Sequence, residues 1–199
     1  IPSDKILKIN VWSSELSKLV SNAMLAQRIS SINSISALCE KTGANINEVS
    51  MAVGMDTRIG TDFLKSSIGF GGSCFKKDIL NLVYIAKHYG LDPVAEYWEN
   101  VVRINNYQTE RFGKKIIEVF NSNLDDKVIT ILGWAFKKNT NDSRESASIY
   151  LAKRILSEGA TIRIYDPMVN HSRIIDDIQD SFQESNLNRD KIDKILKKV

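Results

Sequence analysis

The stretch Gly69-Phe70-Gly71-Gly72-Ser73-Cys74-Phe75-Lys76-Lys77-Asp78 gathers a thiol, two ammonium groups and a carboxylate within a few residues of a glycine-rich turn. Glycine lets a backbone turn tightly and come close to a ligand. From Ile79 to Tyr89 apolar residues recur with helical spacing, so Cys74 falls where a loop becomes a helix. There the free N–H groups and the positive end of the helix dipole stabilise an anion, and Lys76 and Lys77 add charge within one turn. These features favour thiolate over thiol and make Cys74 a candidate nucleophile. A lone cysteine in a turn is more often small, buried and inert; the glycines, the helix start and the lysines together favour the reactive reading. Asp78 lies one turn beyond Cys74 and can share its side of the helix, although its plainer role is to complement the dipole.

The elements that must position this stretch are helical. From Ser14 to Lys41, Leu16, Leu19, Val20, Ala23, Met24, Ile29, Ile32, Ile35 and Leu38 follow the spacing of one helical face, with Ser13 or Ser14 as N-cap and Gly43 as stop. Lys18 and Asn22, four apart, share a side of it and offer an ammonium and a carboxamide to one point, or else form part of a solvated face. Cys39, in the pattern with Ile35 and Leu38, reads as core packing. A short helix from Asn47 to Val53 stops at Gly54. Arg58 and then Phe63-Leu64-Lys65 lead into the glycine loop, where backbone N–H groups can bind phosphate oxygens and Lys65 can assist them.

Asp92 as N-cap and Pro93 at the first position open a helix that continues to Phe120, roughly 40 Å long at 1.5 Å per residue. Its polar interruption from Asn105 to Arg111 suits a helix that bridges two domains. After Lys127 the texture changes. Val128 to Gly133 reads as a buried parallel strand, Ser146 to Glu158 as a helix ended by Gly159, and Thr161 to Tyr165 as a second strand before Asp166-Pro167. This is a βαβ unit whose turn lies at the carboxyl ends of the strands, where such folds bind ligands. Gly133-Trp134-Ala135-Phe136-Lys137 lacks the glycines of a dinucleotide fingerprint, and Lys137 with Lys138 by itself reads as an exposed basic turn. Ile174, Ile175, Ile178 and Phe182 predict an amphipathic helix, and Ile192, Ile195, Leu196 and Val199 another, separated by the polar stretch Gln183 to Asp190.

The chain has 199 residues, 43% of them hydrophobic, enough for a real core. A net charge of +3, with lysines spread along the chain, argues against nucleic acid as partner. No apolar run approaches the roughly 18 residues of a membrane span, and Ile1-Pro2-Ser3-Asp4 is no signal peptide, so a cytosolic protein is expected. Two cysteines and two histidines give neither a disulfide framework nor a metal-ligand set.

The decapeptide resembles the active-site signature of the UDP-glucose dehydrogenase family, Gly-Phe-Gly-Gly-Ser-Cys followed by a variable residue, Lys and Asp. The resemblance extends from about Val11 to Pro167. It implies a four-electron oxidation of UDP-glucose to UDP-glucuronate with NAD as cofactor, through a thiohemiacetal and a thioester on Cys74. By the same resemblance Lys18 stabilises an oxyanion or shuttles protons, Asn22 binds substrate and Asp78 assists proton movement. Arg58 would reach a sugar hydroxyl in a neighbouring subunit. Phe63, Leu64 and the segment from Lys65 through Gly69, Phe70 and Gly71 would carry the uridine diphosphate, and Phe136 and Lys137 the nucleotide sugar. Cys74, Phe75, Lys76, Lys77 and Arg144 would face NAD. Trp134 departs from the family, where a smaller aromatic is usual, and changes packing more than chemistry.

The fold this implies is a mainly α central dimerisation domain over residues 1–120, whose long helix 93–120 links it to a partial Rossmann-like UDP-sugar-binding domain over 121–199, in a homo-oligomer of at least two copies. The family's N-terminal NAD domain, with its G-x-G-x-x-G turn, has no counterpart in these residues. The chain therefore reads as the middle of such an enzyme, expected to be inactive alone. The competing reading is a catalytically silent dimerisation and UDP-sugar-binding module. A GDP-mannose enzyme is a third, against which the match around Ser14 to Ser36 favours the UDP-glucose branch.

Overall fold

The computed structural model describes residues 1–183. A 3-10 turn (Ser3–Lys5) precedes α1 (Val11–Thr42), α2 (Ile46–Gly54), α3 (Phe75–His88) and α4 (Asp92–Val119); β1 (Val128–Leu132), α5 (Ala147–Ser157), β2 (Thr161–Tyr165) and α6 (His171–Gln183) follow. The architecture is the expected one, a helical part followed by a βαβ unit with one further helix. The segments Gln183 to Asp190 and Ile192 to Val199 lie outside the described residues, apart from Gln183 itself.

α1 starts earlier than its serines predict. Asn10 caps it, its side chain accepting the Ser13 N–H at 2.8 Å, and Gly43 ends it at φ 77°. The buried face agrees with the predicted one in part: Ala23 and Ile32 are buried, and Leu19, Val20 and Ile29 pack against the core. Ala26, Ser30, Asn33 and Ser36 are also buried, whereas Leu16, Met24, Ile35 and Leu38 are exposed. Small and polar side chains let α1 lie close to its neighbours, with the Ser30 hydroxyl donating to Val101 O at 2.7 Å. Cys39 is buried, as its place in the pattern implies.

α2 is capped by Asn45, which accepts the Asn47 N–H at 2.9 Å. In α4 the N-cap position belongs to Leu91, and Asp92 sits in the first turn ahead of Pro93, where its charge complements the dipole. Ala95, Val101 and Val102 of α4 pack with Ala23 and Ala26 of α1 and with Ile79, Leu82 and Val83 of α3 in one core. Ile117, further along α4, belongs to a second core with Trp134, Leu151, Ile155 and Ile178. α4 thus serves both cores, and within its polar interruption Asn105 and Gln108 are buried while Asn106, Tyr107 and Glu110 are exposed.

The strands pair in parallel, from Val128 opposite Thr161 to Leu132 opposite Tyr165. The expectation of a fully buried β1 fails. Ile131 is buried, but Val128 and Leu132 are exposed, because the core that contains α5 and α6 covers one face of the pair. In α6, Ile174, Ile178 and Phe182 are buried as predicted.

Asp166, just after β2, fixes the turn that follows β1. One oxygen accepts the Trp134 and Ala135 N–H groups at 2.6 and 3.0 Å, and the other accepts Met168 and Val169 at 2.7 and 3.0 Å. Burial pushes its carboxyl up, but the four backbone donors outweigh this and hold it at about 2, against an ordinary 3.8. A depressed carboxyl stabilises the fold above its unfolded value, and that contribution is lost as pH falls from 3.8 through about 2. Asp166→Asn is therefore expected to lose roughly 2 kcal/mol at neutral pH and to flatten the acid limb of stability, measured by urea unfolding against pH. Parallel profiles for variant and wild type would contradict this.

Candidate active site

Cys74 occupies the N-cap position of α3, exposed and making no capping hydrogen bond through its side chain. The helix ladder opens with Asp78 N–H donating to Cys74 O at 2.8 Å, so the N–H groups of Phe75, Lys76 and Lys77 have no partner within the helix. One turn along, Asp78 points inward and its side chain is 1% exposed. Its Oδ2 accepts both Lys18 Nζ at 2.5 Å and Asn22 Nδ2 at 2.6 Å. The spacing of four on α1 thus does bring the ammonium and the carboxamide to one point, and that point is the Asp78 carboxylate.

Burial works against the charged form of Asp78, but the hydrogen bonds from Lys18 and Asn22 and the charges of Lys18 and Lys77 prevail and lower its pKa. Lys18 is raised above its ordinary 10.5, first by the hydrogen bond to Asp78 and, more weakly, by the charges of Asp78 and Cys74. The pair stays ionised through the neutral range. Lys18 remains 58% exposed, so its ammonium is anchored at one side and open to a ligand at the other.

Cys74 lines a cleft of about 700 Å³. Phe63 and Lys65, the glycine loop with Cys74 and Phe75, and Phe136, Lys137 and Arg144 line it, which brings together most of the residues singled out in sequence. Its volume suits a drug-sized or nucleotide-sized ligand. Two of the glycines serve the chain itself. A Cβ on Gly71 would collide with Glu145 O, and one on Gly72, at φ 84°, would lie 2.8 Å from the Phe136 ring. Their absence of side chain lets the loop pack onto the turn after β1, where Gly72 N–H donates to Arg144 O at 2.9 Å.

Among the other predicted residues, Arg58, Leu64, Lys76 and Lys77 do not line the cleft, nor do Lys18, Asn22 and Asp78. Arg58, 87% exposed, forks onto Asp56 two residues back. Leu64 is buried, and Lys77 is exposed on α3. Lys76 pairs with Glu145 at 2.8 Å, and the Glu145 oxygen that it meets also accepts the Tyr150 hydroxyl. Arg144 is held by Asp142 through two hydrogen bonds of 2.9 and 2.7 Å. Sequence reasoning missed the polar side chains behind the loop: Arg28, which donates to Asp62 O and Gly60 O, and Asn33, Asn105, Gln108 and Thr109, which bind residues Ser67 to Phe70. Their one signal was the polar stretch in α4. Among the described residues no cluster of His, Cys, Asp and Glu could hold a metal ion, and no helix is long and apolar enough to cross a membrane.

Helices that carry a Lys-Asn-Asp cluster beside an N-cap cysteine are joined here to a βαβ unit, with a cleft lined from both parts, and comparison with known proteins places this arrangement in a family. Residues 12–107 match the central domain of the UDP-glucose/GDP-mannose dehydrogenase family, and residues 130–195 match its UDP binding domain. The chain belongs to that family. It is 58% identical over 178 residues to the UDP-glucose 6-dehydrogenases of Mus musculus and Drosophila melanogaster, a match covering 89% of this chain and 36% and 37% of theirs. The chain thus spans about a third of the length of these relatives. A UDP-glucose dehydrogenase of Pyrobaculum islandicum superposes with a TM-score of 0.74 at 35% identity, over 81% of this chain and 37% of that one.

Proposed function

We propose that this chain supplies the catalytic cysteine and the nucleotide-sugar cleft of an NAD-dependent UDP-glucose 6-dehydrogenase, with UDP-glucose as substrate. The observation that carries the reading is the Asp78 carboxylate shared by Lys18 and Asn22, one helical turn from Cys74, which lines the cleft. The split into a helical part ending near residue 120 and a UDP-sugar-binding part beyond it belongs to the same proposal, supported by the two cores. So does assembly into at least a dimer, in which Arg58 would serve a neighbouring site.

The part of this chain that would face NAD is small. The partnerless N–H groups at the start of α3 and the exposed guanidinium of Arg144 suit an anionic group, so the residues present fit such a cofactor. When bound, the nicotinamide accepts hydride from the substrate carbon. This chain does the rest. Once the sugar C6 alcohol has become an aldehyde, the Cys74 sulfur adds to its carbonyl carbon and forms a thiohemiacetal. The developing oxyanion lies against donors held by Asp78: the Lys18 ammonium, charged at neutral pH, and the Asn22 carboxamide. This state of Lys18 favours oxyanion stabilisation over proton abstraction. Loss of a second hydride, for which a second molecule of oxidised NAD would be the acceptor, leaves a thioester, which water cleaves to the carboxylate, returning the thiol. Phe63 and Lys65 would carry the uridine diphosphate, and Phe136 and Lys137 would contact the nucleotide sugar, a reading supported by their common place in the lining of the cleft.

Differential alkylation tests this. Cys74 is expected to react with a thiol reagent far faster than buried Cys39, and UDP-glucose is expected to slow Cys74 alone, as read by peptide mapping. Equal rates for the two cysteines, or no protection by the sugar nucleotide, would count against the site.

A further inference from the structure

The loop that enters the cleft does not hold its own shape. From Ser67 to Phe70 almost every backbone hydrogen bond goes to a side chain of another element. Asn105 of α4, buried, accepts Phe70 N–H through Oδ1 at 2.7 Å and donates Nδ2 to Phe70 O at 3.1 Å. A carboxamide carries one acceptor and two donors, so it can pair with both backbone groups of one residue as an adjacent strand would. Gln108 donates to Ser67 O at 2.7 Å and the Thr109 hydroxyl to Ile68 O at 2.7 Å. From α1, Asn33 accepts Ser67 N–H at 2.9 Å. Positions 105, 108 and 109 fall on one helical face, so a single strip of α4 serves the loop.

We infer that this strip, with Asn33, is a framework that presets the ligand loop, and that Asn105 is its central positioning residue. The inference rests on reading that loop as part of the nucleotide-sugar site. Two further observations support it. Gly69, at φ 136°, lies so close that a Cβ there would sit 2.9 Å from the Thr109 hydroxyl and 3.1 Å from Asn105 Oδ1; the glycine and the framework are matched to each other. Asn33 is fully buried, and its Nδ2 has no hydrogen-bond partner. A buried donor left unsatisfied costs stability, which an apolar side chain of that size would recover, so the position is kept for what its oxygen holds. The result is that Ser67 and Phe70 have both backbone polar groups committed and Ile68 its carbonyl, while the N–H groups of Gly71 and Ser73 have no partner among the described residues. A loop ordered before the ligand arrives loses less freedom on binding.

The test uses the full-length protein, with amide exchange of Ser67 and Phe70 read beside the affinity for UDP. Asn105→Leu and Thr109→Val are expected to speed exchange at the loop and weaken UDP binding about tenfold, the equivalent of one hydrogen bond. Thr109→Ser, which keeps the hydroxyl, is expected to restore wild-type exchange and affinity. Exchange of the α3 amides Leu82 and Val83 serves as the folding control and should not move, which separates positioning from general destabilisation. If Asn105→Leu does not fold, the Val and Ser variants of Thr109 decide alone. The inference is overturned if loop exchange stays at the wild-type rate in Thr109→Val, or if it rises and UDP affinity holds within twofold. Failure of the wild-type protein to bind UDP would count against the proposed function, and the exchange rates would still decide whether the framework orders the loop.

Discussion

Cys74→Ala in the full-length protein is expected to lower oxidation of UDP-glucose by about 10⁴-fold or more while leaving affinity for the sugar nucleotide within about twofold, since the groups of a catalytic nucleophile act as a unit and its loss removes the covalent route altogether. The structure makes the substitution unusually clean. The side chain is exposed, caps no N–H of α3 and fills no core, so the helix start and the cleft should survive unchanged. Stability is expected to move by less than about 0.5 kcal/mol, as for a surface substitution away from any cap or packing contact. The other cysteine of this chain, Cys39, is buried on α1 and absent from the lining of the cleft, so it is not placed to replace it. The measurements are steady-state reduction of NAD, calorimetric binding of UDP-glucose and thermal unfolding. Turnover above about one hundredth of wild type would show that the thiol is not the nucleophile, and a large loss of stability would show that the side chain has a structural role not visible here.

What could be read in the sequence was what is local. Cys74 at a helix start, Asp78 one turn on, and Lys18 with Asn22 on a shared side all follow from a period of 3.6 residues. That the last two meet at Asp78 follows from no spacing, because the hydrogen bonds span 60 and 56 positions. Only the family resemblance linked them. The face of α1 was legible only in part, for a related reason. Apolar side chains mark a helical stripe only if the partner is reached through large residues, and here Ala23, Ala26, Ser30 and Ser36 face the neighbours. Small side chains carry little periodic signal, yet they set how closely helices pack.

The polar stretch of α4 was read as the mark of a helix that bridges two domains, and α4 does serve both cores, but what its side chains hold was not legible. Asn105, Gln108 and Thr109 look like a solvated interruption because nothing nearby in sequence tells them apart from one. Their partners are backbone groups of a loop 35 to 41 positions earlier. A loop without its own ladder needs such partners somewhere, so the polar stretch and the glycine loop are two halves of one feature. The glycines were read for ligand approach, and at Gly71 and Gly72 they instead allow the loop to lie on Glu145 and Phe136, which also sets where Phe136 and Lys137 meet the cleft.

Asp78→Asn is expected to have the second-largest effect, a loss of about 10²–10³ in turnover, the range found when a donor to a developing oxyanion is lost or misplaced. The volume is nearly unchanged, so the effect falls on charge. In the wild type Asp78 is depressed below its ordinary 3.8, so its contribution is present above that value and fades as pH falls through the lowered one. Lys18 is raised above 10.5, so its contribution is complete below 10.5 and fades as pH rises through the raised value. Between these limits the ammonium is both charged and tethered. With a neutral amide at position 78 the largest cause of the upward shift is gone, and an ammonium 58% exposed has little else to hold it. The alkaline limb of the rate profile should therefore move to lower pH, while the acid limb loses any part due to Asp78. A second variant separates the charge from the tether. Lys18→Arg keeps a cation that can reach Asp78 but places it in a planar fork, and should recover part of the rate lost in Lys18→Met without restoring the wild-type profile. If the alkaline limb of Asp78→Asn coincides with that of the wild type, the charge on Lys18 does not depend on Asp78 during turnover, and the shared carboxylate is a structural anchor for α1 on α3 with no part in holding the oxyanion donors.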